Sequence, residues 1–190
     1  MHVSEQSKYL AKYLRGIFLG EANVKKYSIY GESISVDIMT INDCPSPGII
    51  THSTLNLSSH SLNLWYEGRE VRAEIVFPTQ NFYSTAPSIL STCALSIVKG
   101  DVILDYGTVA PNVLEVYGEK FNMKHIMFSA PFILDLKLKK FEEFFVTWFQ
   151  AIPISQVEYR FLKENGVDKL EELFEETQVD VFDLDRPSAI

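Results

Sequence analysis

Residues 153–187 have the sequence PISQVEYRFLKENGVDKLEELFEETQVDVFDLDRP, and the fold prediction starts from them. Ser155 and Glu158 have the spacing of a capping box, in which each side chain satisfies a free backbone N–H at the start of a helix. A helix end is predicted at Asn165-Gly166, because glycine adopts positive φ easily. The apolar residues between these points recur at helical spacing: Val157, Phe161 and Leu162.

A second helix is predicted to follow directly. Asp168 and Glu171 repeat the spacing of the capping box, and the next apolar residues form one stripe, Leu170, Leu173 and Phe174. The segment is therefore predicted to be two short capped helices joined by a tight turn, over about residues 155–178.

The outward-facing side chains of this segment are mostly acidic. From Pro153 to Ile190 there are ten Asp and Glu residues against four Lys and Arg, a net charge of −6 out of −8 for the whole chain. Such a surface most often serves solubility. A surface that attracts a basic partner is the alternative.

Length and composition indicate one globular domain with a sizeable core. The chain has 190 residues, of which 46% are hydrophobic and 13% aromatic, which is unlike a disordered chain. The net charge of −8 argues against direct binding of nucleic acid, which needs clustered Lys and Arg.

The same sequence predicts a cytoplasmic protein with no contact to a membrane. The first residues, MHVSEQSKYLAKYL, lack the basic and apolar regions of a secretory signal, and no apolar run approaches the ~20 residues of a membrane span. Cys44 and Cys93 have no CxxC spacing, as expected of a reduced, intracellular chain.

The hydrophobic pattern upstream predicts an α+β fold, with helices packed on a largely antiparallel or mixed sheet. The predicted helices cover about residues 4–19, capped by Ser4 and stopped by Gly20, and a segment from Pro87 to Gly100. The predicted strands are 24–29 and 34–38 around a turn at 30–32, then 49–57, a half-buried 71–77 ending at Pro78, 101–106, 126–129 and a central 144–152. The predicted loops are 42–48, 58–68 and 107–112.

No pattern of catalytic residues emerges from the motifs. The histidines His2, His52, His60 and His125 lack zinc-site spacing, so packing and hydrogen bonding are their expected roles. A Cys44 nucleophile with His52 as its base is conceivable, but Pro45 removes a backbone N–H that an oxyanion site would use. GxSxG, GxGxxG and P-loop motifs are missing from the sequence. We expect no enzyme, no cofactor and no metal, since the tail carboxylates are spread along a helix face.

The aromatic residues divide into two groups. Those in the last predicted strand and just before it are expected to be core: Phe141, Phe144, Phe145, Trp148 and Phe149. Trp65 and Tyr66 lie in a polar loop, where core packing explains them less well. Such residues are enriched among interface anchors.

Seven segments in order give the chain its resemblance to a known family: VDIMTI (36–41), THSTLNLSSH (51–60), AEIVFP (73–78), SILSTCALSIVKGD (88–101), HIMFSAPF (125–132), the run WFQAIPISQVEYRFLKENGVDKLEELFEE (148–176) and VFDLDRPS (181–188). Together they resemble the suppressor-of-fused (SUFU) domain family, and within it the bacterial immunity proteins of the YqcF antitoxin type. The resemblance extends from about residue 33 onward, and no invariant functional residues come with it.

What the resemblance implies is a non-catalytic, cytoplasmic antitoxin. Its expected partner is a basic nuclease toxin of the LXG type, because the bacterial members look like immunity proteins for such toxins. The expected partner-binding residues are the tail carboxylates and the loop aromatics: Glu171, Glu172, Glu175, Glu176, Asp180, Asp183, Asp185, Trp65 and Tyr66. Tyr83 is a further candidate anchor.

Three other functions stay open at this point. The chain could be a peptide-binding module that pairs a free sheet edge with an extended ligand, as distant members of the family do. It could be a small thiol hydrolase that uses Cys44, or it could have a purely structural role.

Overall fold

The computed structural model describes residues 4–18, 20–29, 31, 33–117 and 121–190. Its helices are α1 (Glu5–Ile17), α2 (Ala86–Lys99), α3 (Gln156–Asn165) and α4 (Val167–Thr177). Its strands are β1 (Ala22–Ser28), β2 (Ser35–Ile41), β3 (Ile49–Thr54), β4 (Leu64–Tyr66), β5 (Arg69–Gln80), β6 (Val109–Ala110), β7 (His125–Ser129), β8 (Lys139–Lys140) and β9 (Phe144–Ile154). Two 3₁₀ turns, Leu57–Ser59 and Glu115–Tyr117, complete the elements of the described residues.

The strands form one mixed sheet in the order β1-β2-β3-β5-β9-β7-β6, with β4 added to β5 and β8 added to β9. The pairing is antiparallel throughout, except between β5 and β9, which run parallel from Glu70 beside Phe144 to Val76 beside Gln150. The predicted α+β class with a mixed sheet and packed helices is confirmed. The central place predicted for the last strand is also correct.

Helices cover both faces of this sheet. Side chains alternate along β9, so Ala151 packs into the same cluster as α2, whereas Trp148 packs with α1 and Ile152 packs with α4. Helix α2 therefore forms one outer layer. Helices α1 and α4 both lie in the other outer layer, and α4 covers the end of the sheet where β7 and β9 meet.

A strand lies at 71–77 as predicted, within β5, but β5 is buried on both faces, so the prediction that it is half-buried is wrong. Glu74 has no exposed surface, and its carboxylate accepts hydrogen bonds from the Leu57 N–H (3.2 Å), the Ser58 N–H (3.1 Å) and the Ser58 hydroxyl. Burial raises the pKa of this carboxyl. The strand also continues past Pro78, because the pairing with β9 ends at Val76 and no ladder on that side needs the N–H that proline lacks; the next N–H on that side, of Gln80, donates to the Phe182 carbonyl (3.1 Å).

Two connections differ from the prediction. The strand predicted at 101–106 is a series of turns, because local bonds satisfy its backbone: the Asp105 N–H donates to the Thr108 hydroxyl (3.0 Å) and the Tyr106 N–H donates to the Asp105 carboxylate (2.8 Å). The predicted loop 107–112 contains β6, and the predicted loop 58–68 contains β4.

At the amino-terminal end, the Ser4 hydroxyl accepts the Ser7 N–H as predicted. The helix ends at Ile17, before Gly20, whose Cβ position would lie 2.1 Å from the Asn42 carbonyl oxygen. The end predicted at residue 19, His2 and parts of the predicted turn 30–32 lie outside the described residues.

Candidate functional site

Helices α3 and α4 begin where the sequence places them, with one difference. The Ser155 hydroxyl accepts the Glu158 N–H (3.1 Å) and the Glu158 carboxylate accepts the Ser155 N–H (2.8 Å), so the predicted capping box is present. The prediction of a second capping box, at Asp168 and Glu171, is wrong. Helix α4 starts at Val167 directly after Gly166, and the Asp168 carboxylate instead accepts the Tyr106 hydroxyl at 3.1 Å.

A buried ion pair fastens the end of the chain to the start of α3. Arg186 is 3% exposed and Glu158 is fully buried, and their contacts are Nη1–Oε1 at 2.6 Å and Nη2–Oε2 at 3.0 Å. The Glu158 carboxylate also accepts the Ala189 N–H (2.8 Å), and the Arg186 guanidinium donates to the Pro153 carbonyl (3.0 Å). One of the ten tail carboxylates is therefore an interior group.

Three further tail carboxylates hold the last turns of the chain against the sheet. Their side chains accept hydrogen bonds from earlier parts of the fold: Asp180 from Gln80 Nε2 (2.9 Å), Asp183 from the Tyr83 hydroxyl and Asp185 from the Asn122 N–H (3.0 Å). Burial and the bond to Asp183 raise the pKa of the Tyr83 phenol. These groups, including the candidate anchor Tyr83, have a structural use already.

Glu171 is held in one orientation by two donors. The Ser129 hydroxyl, at the end of β7, donates to Oε1, and the Tyr106 hydroxyl donates to Oε2 at 2.7 Å. The hydrogen bond to Glu171 raises the pKa of Tyr106 more than burial does. The Glu171 side chain is half-buried, so its carboxylate lies at the boundary between the fold and solvent.

Glu172, Glu175 and Glu176 are exposed along α4. Glu172 forms an ion pair with Lys169 one turn earlier, in which both side chains are mostly exposed. Five of the seven predicted acidic residues are exposed, but Asp180 and Asp185 are bonded to earlier parts of the fold, which leaves Glu172, Glu175 and Glu176 as the exposed carboxylates on α4 itself. Residues 153–190 therefore have fewer unengaged surface carboxylates than their composition indicates.

A groove of about 270 Å³ runs beside this acidic face. Its walls are mostly apolar and come from four parts of the chain: Ile152 of β9, Phe174 of α4, Val179 and Val181 of the terminal segment (residues 178–190), and Phe132 of the loop after β7. Glu171, Glu175 and Gln178 complete the lining. Phe132 is 62% exposed. It was missed in the sequence, although an aromatic residue directly after Ala130-Pro131 in a loop is an indication of a surface role.

Trp65 and Tyr66 belong to a different surface. They are 69% and 57% exposed on β4, in a tight hairpin with β5. Trp65 lies opposite Glu70, which pairs with Phe144, whereas Ser129 beneath Glu171 pairs with Gln150. Six residues of β9 separate these two points, or roughly 20 Å. The structure therefore does not bring the predicted aromatic and acidic residues together.

The possible thiol nucleophile gains no support from its surroundings. Burial raises the pKa of the Cys44 thiol, which is the opposite of what a nucleophilic thiolate needs. His52 is 3% exposed and shares a hydrogen bond with the Thr40 hydroxyl (2.9 Å). Burial lowers the pKa of His52 to about 4. His125 is likewise buried, and its Nδ1 accepts the Asn112 N–H at 2.9 Å.

Within residues 4–18, 20–29, 31, 33–117 and 121–190, no three His, Cys, Asp or Glu side chains are grouped so that they could hold a metal ion. The helices of those ranges are all too short or too polar to span a bilayer.

Comparisons with known proteins agree with this fold. The family model described as "Suppressor of fused protein (SUFU)" matches residues 32–187. The chain is 37% identical to "Immunity protein YqcF" of Bacillus subtilis (strain 168), and the match covers all of both chains.

Two solved structures share the fold at low identity. One is a SUFU homolog from Neisseria gonorrhoeae, with a TM-score of 0.74 and 17% identity over 98% of this chain and 97% of that one. The other is a Sufu–Fu complex, with a TM-score of 0.70 and 12% identity over 97% of this chain and 92% of that one.

Proposed function

This chain belongs to the suppressor of fused (SUFU) family, and from that premise we propose that it is an immunity protein that binds and neutralises a cognate toxin. The observation that carries the proposal is the match over the full length of both chains to a relative named as an immunity protein. Such a protein acts by occupying a surface of its partner, which is consistent with the buried and unactivated Cys44.

The partner in this proposal is a basic nuclease domain, carried by a toxin of the LXG type. A nuclease needs cationic groups where it grips phosphates, and an acidic protein is steered towards those groups by long-range electrostatics. The same proposal places this chain in the cytoplasm, since that is where a nuclease would attack nucleic acid. It needs no cofactor and treats the chain as a single domain.

The contact surface in this proposal is the exposed face of α4. Glu172, Glu175 and Glu176 are open to solvent, whereas Glu171 and the aspartates of the terminal segment are engaged by the fold. A partner can approach the first group without breaking a bond between different parts of the fold, since the ion pair of Glu172 joins it to Lys169 of the same helix. Reversal of Glu171 would disturb the fold as well as the surface, so it is unsuitable for a test.

The test is a charge reversal with a matched control. The test variant is Glu172→Lys, Glu175→Lys and Glu176→Lys together. The control is Glu67→Lys, Glu142→Lys and Glu143→Lys, which makes the same change in net charge at exposed positions at the hairpin tips beside β5 and β9. Both are assayed for rescue of cells that express a candidate cognate toxin, and for association rate with its nuclease domain.

The test variant is expected to associate at least about tenfold more slowly at low salt, with a smaller difference at high salt. The control should stay near the unmodified protein. Equal loss in both variants would assign the effect to net charge alone, and no loss in either would remove the α4 face from the interface. Failure of the unmodified protein to rescue the cells would reject the proposed function itself.

One observation favours a second way of binding, through a sheet edge. Strand β4 has β5 as its ladder partner and carries the exposed Trp65 and Tyr66. An extended peptide could add to its free side, with the aromatic rings as anchors. This interface would depend weakly on salt and would be lost in Trp65→Ala, whereas it would tolerate the charge reversal on α4. A Cys44→Ser variant should behave as the unmodified protein in both cases.

A further inference from the structure

The groove beside α4 combines apolar walls with two carboxylates at its margin. Phe132 and Phe174 contribute aromatic surface, and Val179 adds aliphatic surface from the terminal segment. Glu171 and Glu175 lie one helical turn apart, so both carboxylates project along the same side of α4. No Lys or Arg is among the described residues that line the groove.

The Glu171 carboxylate is prepared to accept a further donor. Ser129 and Tyr106 each donate to a different oxygen, which fixes the orientation of the group and leaves acceptor capacity on both oxygens. A carboxylate that is already oriented loses little side-chain entropy when a donor arrives. Glu175 is exposed, so its carboxylate can meet the same donor from the other side of the groove.

The size of the groove limits what it can hold. Its volume of about 270 Å³ lies below the roughly 300–1,000 Å³ of pockets that take drug-sized ligands. One long side chain is therefore a better match than a cofactor or a nucleotide. The carboxylates exclude an acidic side chain, and a purely apolar one would leave Glu175 without a new partner.

We propose that this groove binds a single arginine side chain presented by the partner, with its methylene stem against Phe132 and Val179 and its guanidinium between Glu171 and Glu175. Arginine fits better than lysine because its planar head stacks on an aromatic ring and donates to two carboxylates at once. The structure already contains a related contact, since Arg186 lies over the Phe174 ring at 5.1 Å while it is paired with Glu158.

This inference rests on the proposed function only in naming the partner, so it can be tested without a toxin. The probe is N-acetyl-arginine-N-methylamide, titrated to millimolar concentrations and followed by the ¹H–¹⁵N NMR shifts of Gln178 and Val179. The comparison probe is the citrulline analogue, which has nearly the same shape and no charge. The variants are Glu175→Gln and Phe132→Ala, and Glu164→Gln is the control, because Glu164 is an exposed carboxylate on α3 outside the groove.

The arginine probe is expected to shift the groove amides and to bind at least about threefold more weakly to Glu175→Gln and Phe132→Ala. It should bind Glu164→Gln as it binds the unmodified protein. Equal shifts from the arginine and citrulline probes would overturn the assignment, as would shifts located elsewhere or an equal loss in Glu164→Gln.

The two proposals fail in different ways. Arginine binding in the groove without rescue from the toxin would leave the groove assignment in place and reject the immunity function. Rescue by a protein whose groove does not distinguish arginine from citrulline would do the reverse. With both in place, Phe132→Ala should weaken the toxin complex at least about tenfold.

Discussion

Replacing Arg186 by methionine tests how the end of the chain is held. Arg186 and Glu158 are 3% and 0% exposed, and the guanidinium also donates to the Pro153 carbonyl. Methionine keeps much of the volume but leaves the Glu158 carboxylate buried without its counter-charge. The terminal segment that Arg186 holds in place also supplies Val179 and Val181 to the groove, so its loosening would disturb the candidate site as well.

The expected cost follows from the geometry. Removal of one partner of a buried ion pair costs about 3–5 kcal/mol. Glu158 retains the N–H donors of Ser155 and Ala189, both at 2.8 Å, so the lower end of that range applies. For a chain of this length, about 3 kcal/mol corresponds to a fall in Tm of roughly 6–12 °C. The double variant with Glu158→Gln should recover at least about 1 kcal/mol, because the unpaired charge is then gone.

Urea denaturation measures these free energies of unfolding. The control is Arg160→Met, which removes an exposed arginine from α3, the helix that contains Glu158. It should change the free energy of unfolding by less than about 0.5 kcal/mol. If Arg186→Met cost no more than this control, the terminal segment would not depend on the ion pair. If the double variant were as unstable as the sum of its parts, the two side chains would not be coupled.

Three other perturbations address the core, the loops and α4. Burial lowers the pKa of His52 to about 4, so between pH 6.5 and 4 its imidazole binds a proton in the unfolded chain but not in the folded one. The free energy of unfolding should therefore fall by up to about 1.4 kcal/mol per pH unit as the pH drops through this range. His52→Gln should flatten that slope in urea denaturation at pH 5, 6 and 7. In thermal melts, Gly107→Ala should lower the Tm more than Gly68→Ala. Both glycines have positive φ, but only at position 107 would the new Cβ lie 2.8 Å from the Val167 side chain of α4. Equal falls in Tm would contradict this contact. Leu170→Ala should lower the free energy of unfolding by about 2–5 kcal/mol, because Leu170 is fully buried on the inner face of α4. A loss below about 1 kcal/mol would mean that α4 is not packed as described.

Local patterns predicted the elements whose causes are local. The Ser155–Glu158 capping box spans three residues, and Gly166 ends α3 with a φ of 88°, so both were visible in the sequence. The strand order was not, because the parallel pairing of β5 with β9 joins residues more than 70 positions apart. The burial of Glu74 follows from covering the second face of the sheet, which alternation within one strand cannot reveal.

The candidate site shows the same limit more sharply. The sequence gives the positions of the carboxylates but not their partners. Asp183 meets Tyr83 across 100 residues of chain, and Asp168 is drawn to Tyr106 instead of capping α4. Phe132 belongs to the groove only because α4 and the loop after β7 are packed together. Counting charges therefore located the carboxylates but did not distinguish those that the fold itself binds, such as Glu158 and Asp183.

This division of the carboxylates limits what charge can contribute to binding. Exposed ion pairs contribute about 0–1 kcal/mol each, so Glu172, Glu175 and Glu176 together supply at most about 3 kcal/mol. A nanomolar complex requires about 12 kcal/mol. Charge can therefore bring a basic partner to α4, but it cannot hold the partner there. The larger share must come from buried apolar contact, and the exposed aromatic side chains Phe132 and Trp65 mark two surfaces that can provide it.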